Sequence, residues 1–215
     1  MSRLLGCIFV AALAGSLAAA TDSALAQASA PVTVTLPIVV HVAELDGHPV
    51  VDTRFVADRI ERANTIYAPY GVAFRVQSTR PLAAAHAMME TRADRDALAT
   101  EVGRGAIDLF VVQSLRDVDE PARMRRGVHW HAATQPGTHF VILSSIAGLN
   151  VLAHELGHYL GNRDHSEVPG NLMSYLAGPA LPVLDAAQQE KLARALRGYL
   201  RRHELLPITT DAATP

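Results

Sequence analysis

The segment "HELGHYLGNRDHSEVPGNLMSY", residues 154–175, has residue types and spacing suited to a hydrolytic metal centre. His154 and His158 are four residues apart, so on a helix both imidazoles lie on one face and can reach a single ion. Zinc binds histidine nitrogen, and a catalytic zinc keeps an open position for water. Glu155 lies beside the pair, where its carboxylate could hold that water and accept its proton. The pattern predicts a hydrolytic zinc site.

The residues after this motif extend it in a way that resembles a known family. Gly161 and the turn "NLMSY" around Met173 resemble the metzincin zinc endopeptidases, whose longer motif is HExxHxxGxxH with a methionine turn beneath the metal. The resemblance implies a zinc cofactor, a chain reversal at Gly161, a hydrophobic floor from Met173, and peptide hydrolysis. In the similar "MSY" turns of serralysins a tyrosine can stabilise the oxyanion, so Tyr175 has either that role or a packing role.

The third metal ligand is where the sequence departs from the metzincin pattern. Asp164 stands three residues after Gly161, where the family has histidine, and His165 comes one residue later. Snapalysin-like metzincins use an aspartate followed by a histidine, which favours Asp164. The spacing from His165 to Met173 matches that of matrix-type metzincins, and a loop absorbs an extra residue easily. We predict that His165 is the ligand, with Asp164 as the rival.

Two other functions fit part of the pattern. A gluzincin-type peptidase would take its third ligand from a later helix, where Glu190 is the candidate, although an acidic residue near a helix start is favoured by the helix dipole anyway. A non-catalytic exported binding domain could keep zinc for stability alone. The presence of Glu155 argues against the second alternative, because a structural site needs no general base.

Apolar periodicity predicts the elements that must hold this site. We expect about five strands, at residues 31–43, 72–78, 107–115, 127–132 and 138–145. Helices are expected between Asp52 and Gly71, from Thr91, over residues 149–160 and from Asp185. This order predicts a single α+β, or mixed α/β, domain with a mixed sheet, an active-site helix and a C-terminal helix. The family resemblance implies that the sheet is twisted and metzincin-like.

The segment "GVHWHA" is the candidate edge strand for binding an extended substrate. His129 and His131 share one face of such a strand, so they could hold a second metal or be ordinary edge-strand histidines near the cleft. Before this strand, Arg123, Arg125 and Arg126 stand in a charged loop and are most simply a solvated face.

The N-terminal residues predict export. Residues 1–26 combine Arg3, an apolar run from Leu4 to Ala20 and a small-residue cleavage pattern, which is typical of a signal peptide rather than a retained anchor. Residues 27–215 would then form the zinc metalloprotease domain, periplasmic or extracellular, without the single cysteine, Cys7. The formal net charge of −2 gives no reason to expect a nucleic-acid partner. The family resemblance implies a peptide or protein substrate.

Overall fold

The computed structural model describes residues 34–209, so the predicted signal peptide lies outside the described residues. Eight strands are present in this part: β1 Val34–Leu45, β2 His48–Pro49, β3 Val72–Leu82, β4 Met88–Met89, β5 Ile107–Val112, β6 Ser114–Leu115, β7 Gly127–His131 and β8 His139–Ser144. The α-helices of this part are α1 Thr53–Tyr67, α2 Arg92–Ala97, α3 Val151–Tyr159 and α4 Ala186–Arg201.

The main sheet is mixed and ends in an antiparallel edge strand. Its long strands lie in the order β3-β1-β5-β8-β7, and the two-residue β2 pairs with the end of β1. β3, β1, β5 and β8 are mutually parallel, whereas β7 runs antiparallel to β8. Strand β5 is buried at every residue, as expected for a parallel strand covered on both faces.

Two apolar clusters cover the two faces of this sheet. On one face, α1 and α3 pack against residues that include Ile38, Leu109 and Val141. On the other face, Phe110, Phe140 and neighbouring residues pack against the segment that contains β4, β6 and the short α2. Since side chains alternate along each strand, the odd-numbered positions of β8 face the helices.

Helix α1 fixes the position of α3 through one buried hydrogen bond. The fully buried Tyr67, at the last residue of α1, donates its hydroxyl to the carbonyl oxygen of Ala153 at 2.9 Å. Asn64, one turn earlier, binds both the N–H and the carbonyl of Phe74 on β3. These contacts tie α1 to the sheet and to the helix that carries the metal-site motif.

The predicted α+β architecture is confirmed, with a mixed sheet, the motif-bearing helix and a final helix. Helix α4 begins where the sequence indicated, because Asp185 caps it and forms a capping box with Gln188. After α4 the chain returns to the sheet, where the N–H of Ile208 donates to the carbonyl of Thr35 at 2.9 Å. Among residues 34–209, none of the helices is long and apolar enough to cross a membrane.

The hydrogen bond between α1 and α3 predicts a measurable stability loss. In Tyr67→Phe the carbonyl of Ala153 loses its buried donor, so we expect the free energy of unfolding in urea to fall by about 1–3 kcal/mol. Thr65→Ala, on the exposed side of the same helix, should change it by less than about 0.5 kcal/mol. Equal stabilities of Tyr67→Phe and the wild type would contradict this role.

Candidate metal centre

Helix α3 presents two histidines whose ring orientation is set by backbone carbonyls. His154 Nδ1 lies 2.7 Å from the carbonyl oxygen of Leu172, and His158 Nδ1 lies 2.7 Å from that of Asn162. Since a carbonyl oxygen can only accept, each Nδ1 carries the proton and donates it. In the neutral rings the lone pairs are therefore on Nε2, the atoms that face each other.

The three histidines of the motif meet at these Nε2 atoms. His158 Nε2 lies 3.2 Å from His154 Nε2 and 3.2 Å from His165 Nε2. A tetrahedral zinc at its usual distance from nitrogen would separate two ligand atoms by about 3.3 Å. Facing lone pairs at this separation repel each other unless a cation lies between them, so the three residues fit a zinc ion. We call them the catalytic histidine cluster.

Gly161 allows the chain to reverse after α3. Its φ is +98°, and a Cβ at this position would lie 3.0 Å from the Cβ of Ala195 and 3.3 Å from the carbonyl oxygen of Lys191 on α4. Both the backbone conformation and the close approach of α4 therefore require glycine. The reversal carries the chain back so that His165 reaches His158.

The two rival ligands from the sequence lie away from this cluster. Asp164 has a side chain that is 85% exposed, and its carboxylate faces Lys191, with 3.5 Å between Oδ2 and Nζ. Glu190 is exposed on α4 and belongs to neither of the groups that could hold a metal among residues 34–209. The structure thus brings His165, rather than Asp164 or Glu190, to the histidines of α3.

The methionine turn lies directly beneath α3. Met173 is fully buried, and its Sδ would be 2.5 Å from a Cβ added to Gly157 on the helix above. The turn is held by Asn171, whose side-chain oxygen accepts from the N–H of Met173 at 2.8 Å and whose amide pairs with the side chain of Gln188 on α4. The N–H of Ser166 donates to the Met173 carbonyl, which ties the His165 loop to the same turn.

Glu155 is buried between α3 and the edge strand β7. Burial raises the pKa of its carboxyl group to about 8, while the hydrogen bond from the backbone N–H of His129 and the charge of Arg125 act in the opposite direction. Burial also lowers the pKa of His158 to about 4, helped by the neighbouring His154. The three imidazoles next to Glu155 are therefore neutral near pH 7, the form that binds a metal.

Arg125 is an exposed charge, as the sequence predicted, and it is also part of the site. Its Nε donates to the carboxylate of the buried Asp117 at 2.5 Å. Backbone N–H groups of Asp119 and Glu120, followed by Arg125, lower the pKa of Asp117 to about 2. Arg125 also hydrogen-bonds the side chain of Tyr175. No pattern in the sequence relates Arg125 to Asp117, because their pairing depends on how the loop closes.

Tyr175 is an exposed residue of the site. Its side chain lies over the catalytic histidine cluster, with ring centroids 4.5 Å from His165 and 5.5 Å from His154, while 69% of its surface remains exposed. Burial of the remainder raises the pKa of its hydroxyl, and the charge of Arg125 opposes that rise. The phenol is therefore protonated near pH 7 and can donate a hydrogen bond.

Two cavities adjoin the cluster on either side of Glu155. One, of about 600 Å³, follows β7 and includes His129, His131 and Arg163 in its wall. The other, of about 740 Å³, lies between the start of α3 and the segment after the methionine turn, with Val151 in its wall. Glu155, Arg125 and Tyr175 line both cavities, so an extended molecule lying across the site would contact all three.

Comparisons with known proteins gave matches in structure only. No family model matches the sequence. No curated protein matches it either.

Several solved metalloproteases share the fold. Metalloproteinase-II from Bacteroides fragilis matches with a TM-score of 0.53 and 14% identity over 78% of this chain, which spans only 55% of that protein. Mature mirolysin from Tannerella forsythia, in complex with a cleaved peptide, matches with a TM-score of 0.53 and 13% identity over 80% of this chain and 98% of its own. Archaemetzincin from Methanopyrus kandleri matches with a TM-score of 0.51 and 17% identity over 76% and 96%. The chain therefore has the fold of metzincin-type metalloproteases, as the sequence resemblance predicted.

The contact between α3 and the methionine turn predicts that Gly157 cannot be enlarged. Gly157→Ala would place a methyl group against Met173 Sδ and 3.3 Å from the hydroxyl oxygen of Tyr67, both fully buried. We expect the free energy of unfolding in urea to fall by about 1–3 kcal/mol, although alanine otherwise favours a helix more than glycine does. Gly148→Ala, whose new methyl group has its nearest neighbour 4.0 Å away, is the matched control. If Gly157→Ala is as stable as this control, the methionine turn can shift to accommodate the new methyl group.

Proposed function

We propose that this chain is an exported zinc-dependent endopeptidase. The observation that carries the proposal is the set of three Nε2 atoms, from His154, His158 and His165, with 3.2 Å between His158 Nε2 and each of the others. A buried carboxyl group, Glu155, stands beside them at the junction of two cavities. This combination is what metal-assisted hydrolysis of a peptide bond needs, and a purely structural zinc site would not require the glutamate.

His154, His158 and His165 would hold the ion, and zinc supplies a Lewis acid that makes water acidic and polarises a carbonyl group. The Glu155 carboxylate accepts the proton of the attacking water and then passes it to the leaving amine. Burial raises the pKa of Glu155 to about 8, and the positive charge of a zinc ion beside it would join the N–H of His129 and the charge of Arg125 in favouring the ionised form. Tyr175 donates its hydroxyl hydrogen to the oxyanion that develops on the substrate, and Arg125, anchored by Asp117, keeps that phenol in place.

The substrate would be a peptide or protein segment bound in extended form along β7. Within the described residues β7 pairs with β8 alone, so its other edge is available for strand addition. The first residue of β7, Gly127, packs tightly on α3, because a Cβ there would lie 3.0 Å from Glu155 Cγ and 2.6 Å from Val151 Cγ1. A strand paired with β7 would therefore run directly past the catalytic glutamate.

Export is part of the proposal and rests on the sequence of residues 1–26, with its apolar run and small-residue cleavage pattern. After cleavage the enzyme would act in the periplasm or outside the cell without a stable membrane anchor. The alternatives are a non-catalytic zinc-stabilised binding domain and a gluzincin-type peptidase that uses Glu190, and the two experiments below separate them.

The central test is the loss of activity in Glu155→Gln. This variant keeps the three imidazoles but cannot accept a proton, so we expect casein cleavage to fall by about 10²–10⁴-fold with zinc content unchanged. A chelator should abolish cleavage by the wild type, and added zinc should restore it. If zinc-loaded wild type cleaves neither casein nor a peptide library, the non-catalytic binding domain is the better function.

Metal content tests the assignment of the third ligand. His165→Ala should lose zinc at the catalytic histidine cluster, because two imidazoles from one helix then remain. Asp164→Ala, which removes only the exposed contact with Lys191, should retain zinc, and so should Glu190→Gln. Elemental analysis of the three purified variants decides the point. Loss of one zinc per chain in Asp164→Ala or Glu190→Gln, with no loss relative to the wild type in His165→Ala, would reverse the assignment.

A further inference from the structure

A second group of histidines lies on the hairpin formed by β7 and β8. His131 and His139 are direct partners in the antiparallel register, and His129 is two residues from His131 on the same strand. Directly opposed residues and their next-but-one neighbours share a face of a sheet. The three imidazoles therefore project from one face, the face that carries the helices, since His139 alternates with Phe140 of the opposite cluster.

The ring nitrogens of this group are close enough to share an ion. One nitrogen from each of His129, His131 and His139 lies within 4.8 Å of the other two, and His129 Nε2 is 2.8 Å from His139 Nδ1. Within residues 34–209 no protein group hydrogen-bonds a ring nitrogen of His131, which is exposed and stacks on His139 with 5.2 Å between ring centroids. Its ring nitrogens are therefore available to an ion that His129 and His139 also bind.

The surroundings hold two of these rings in place and leave a route for an ion. Tyr159, at the end of α3, stacks on His139 with 4.2 Å between ring centroids, and Tyr199 of α4 lies on the same ring at 5.7 Å. His129 and His131 line the cleft along β7, so an ion can enter from solvent. Nearby charges act in both directions, since Arg163 disfavours a cation there and Glu204 favours one.

We propose that His129, His131 and His139 form a second binding site for a divalent transition metal, distinct from the catalytic histidine cluster. Three imidazoles without a carboxylate select zinc and its neighbours in the transition series over calcium or magnesium, which prefer oxygen ligands. The bound ion would cross-link β7 to β8. Because the backbone N–H of His129 is bonded to Glu155, the cross-link would also fix the strand that holds the catalytic glutamate.

Metal stoichiometry tests this site without reference to catalysis. The full chain is stripped with a chelator, titrated with zinc alone, and its bound metal is measured by elemental analysis. We expect two zinc ions per chain in the wild type and one in His131→Ala, a change at an exposed position that leaves the core intact. His158→Ala should also hold one, and the double variant should hold none. His48→Ala, an exposed histidine on β2, is the control and should hold two.

Thermal unfolding gives a second reading of the same site. The second zinc equivalent should raise the melting temperature of the wild type and of His48→Ala but not that of His131→Ala, because only a folded hairpin offers the three nitrogens together. One zinc per chain in the wild type, or two in His131→Ala, would overturn the second site. Neither result bears on the proposed peptidase, whose failure would instead be seen as cleavage retained in Glu155→Gln.

Discussion

The close approach of three imidazole Nε2 atoms is the constraint on which the rest of this structure depends. His154 and His158 are held with Nε2 inward because their Nδ1–H groups donate to the carbonyls of Leu172 and Asn162. Those two carbonyls belong to segments that follow α3, so the chain must fold back on the helix to orient its rings. The tight turn at Gly161 and the methionine turn both serve this one requirement.

Charge is distributed around the cluster so that a carboxyl group can be buried beside it. An isolated carboxylate in a dry site is costly, and Glu155 receives partial compensation from the N–H of His129 and from Arg125. Arg125 is in turn neutralised by Asp117, itself fixed by two backbone N–H groups. The loop before β7 thus holds Arg125 where its charge acts on the carboxyl group of Glu155.

The parts of the molecule that could be predicted from the sequence depend on local rules. The positions of helices α3 and α4 in the sequence follow from apolar periodicity and from caps such as Asp185 with Gln188. Those interactions involve residues only a few positions apart. Pro37 is of the residue type that favours an edge strand or a break in a strand. It lies in β1, which is central, but at a point where only β3 is paired, since the pairing with β5 begins at Ile38. The cross-strand pairing of His139 with His131 could not be predicted, because it depends on the register of the hairpin formed by β7 and β8.

The two side-chain hydrogen bonds between Asn171 and Gln188 give α4 a role beyond packing. All three imidazoles of the catalytic histidine cluster precede residue 186, yet the turn beneath them is anchored to this last helix. Beyond α4, the backbone N–H of Ile208 donates a hydrogen bond to the carbonyl of Thr35 near the start of β1, so the last described segment pairs with the first described strand. The ligands are thus encoded before α4, whereas the turn beneath them is anchored by a residue of that helix. Formation of the metal centre consequently depends on the docking of α4 as well as on the ligands themselves.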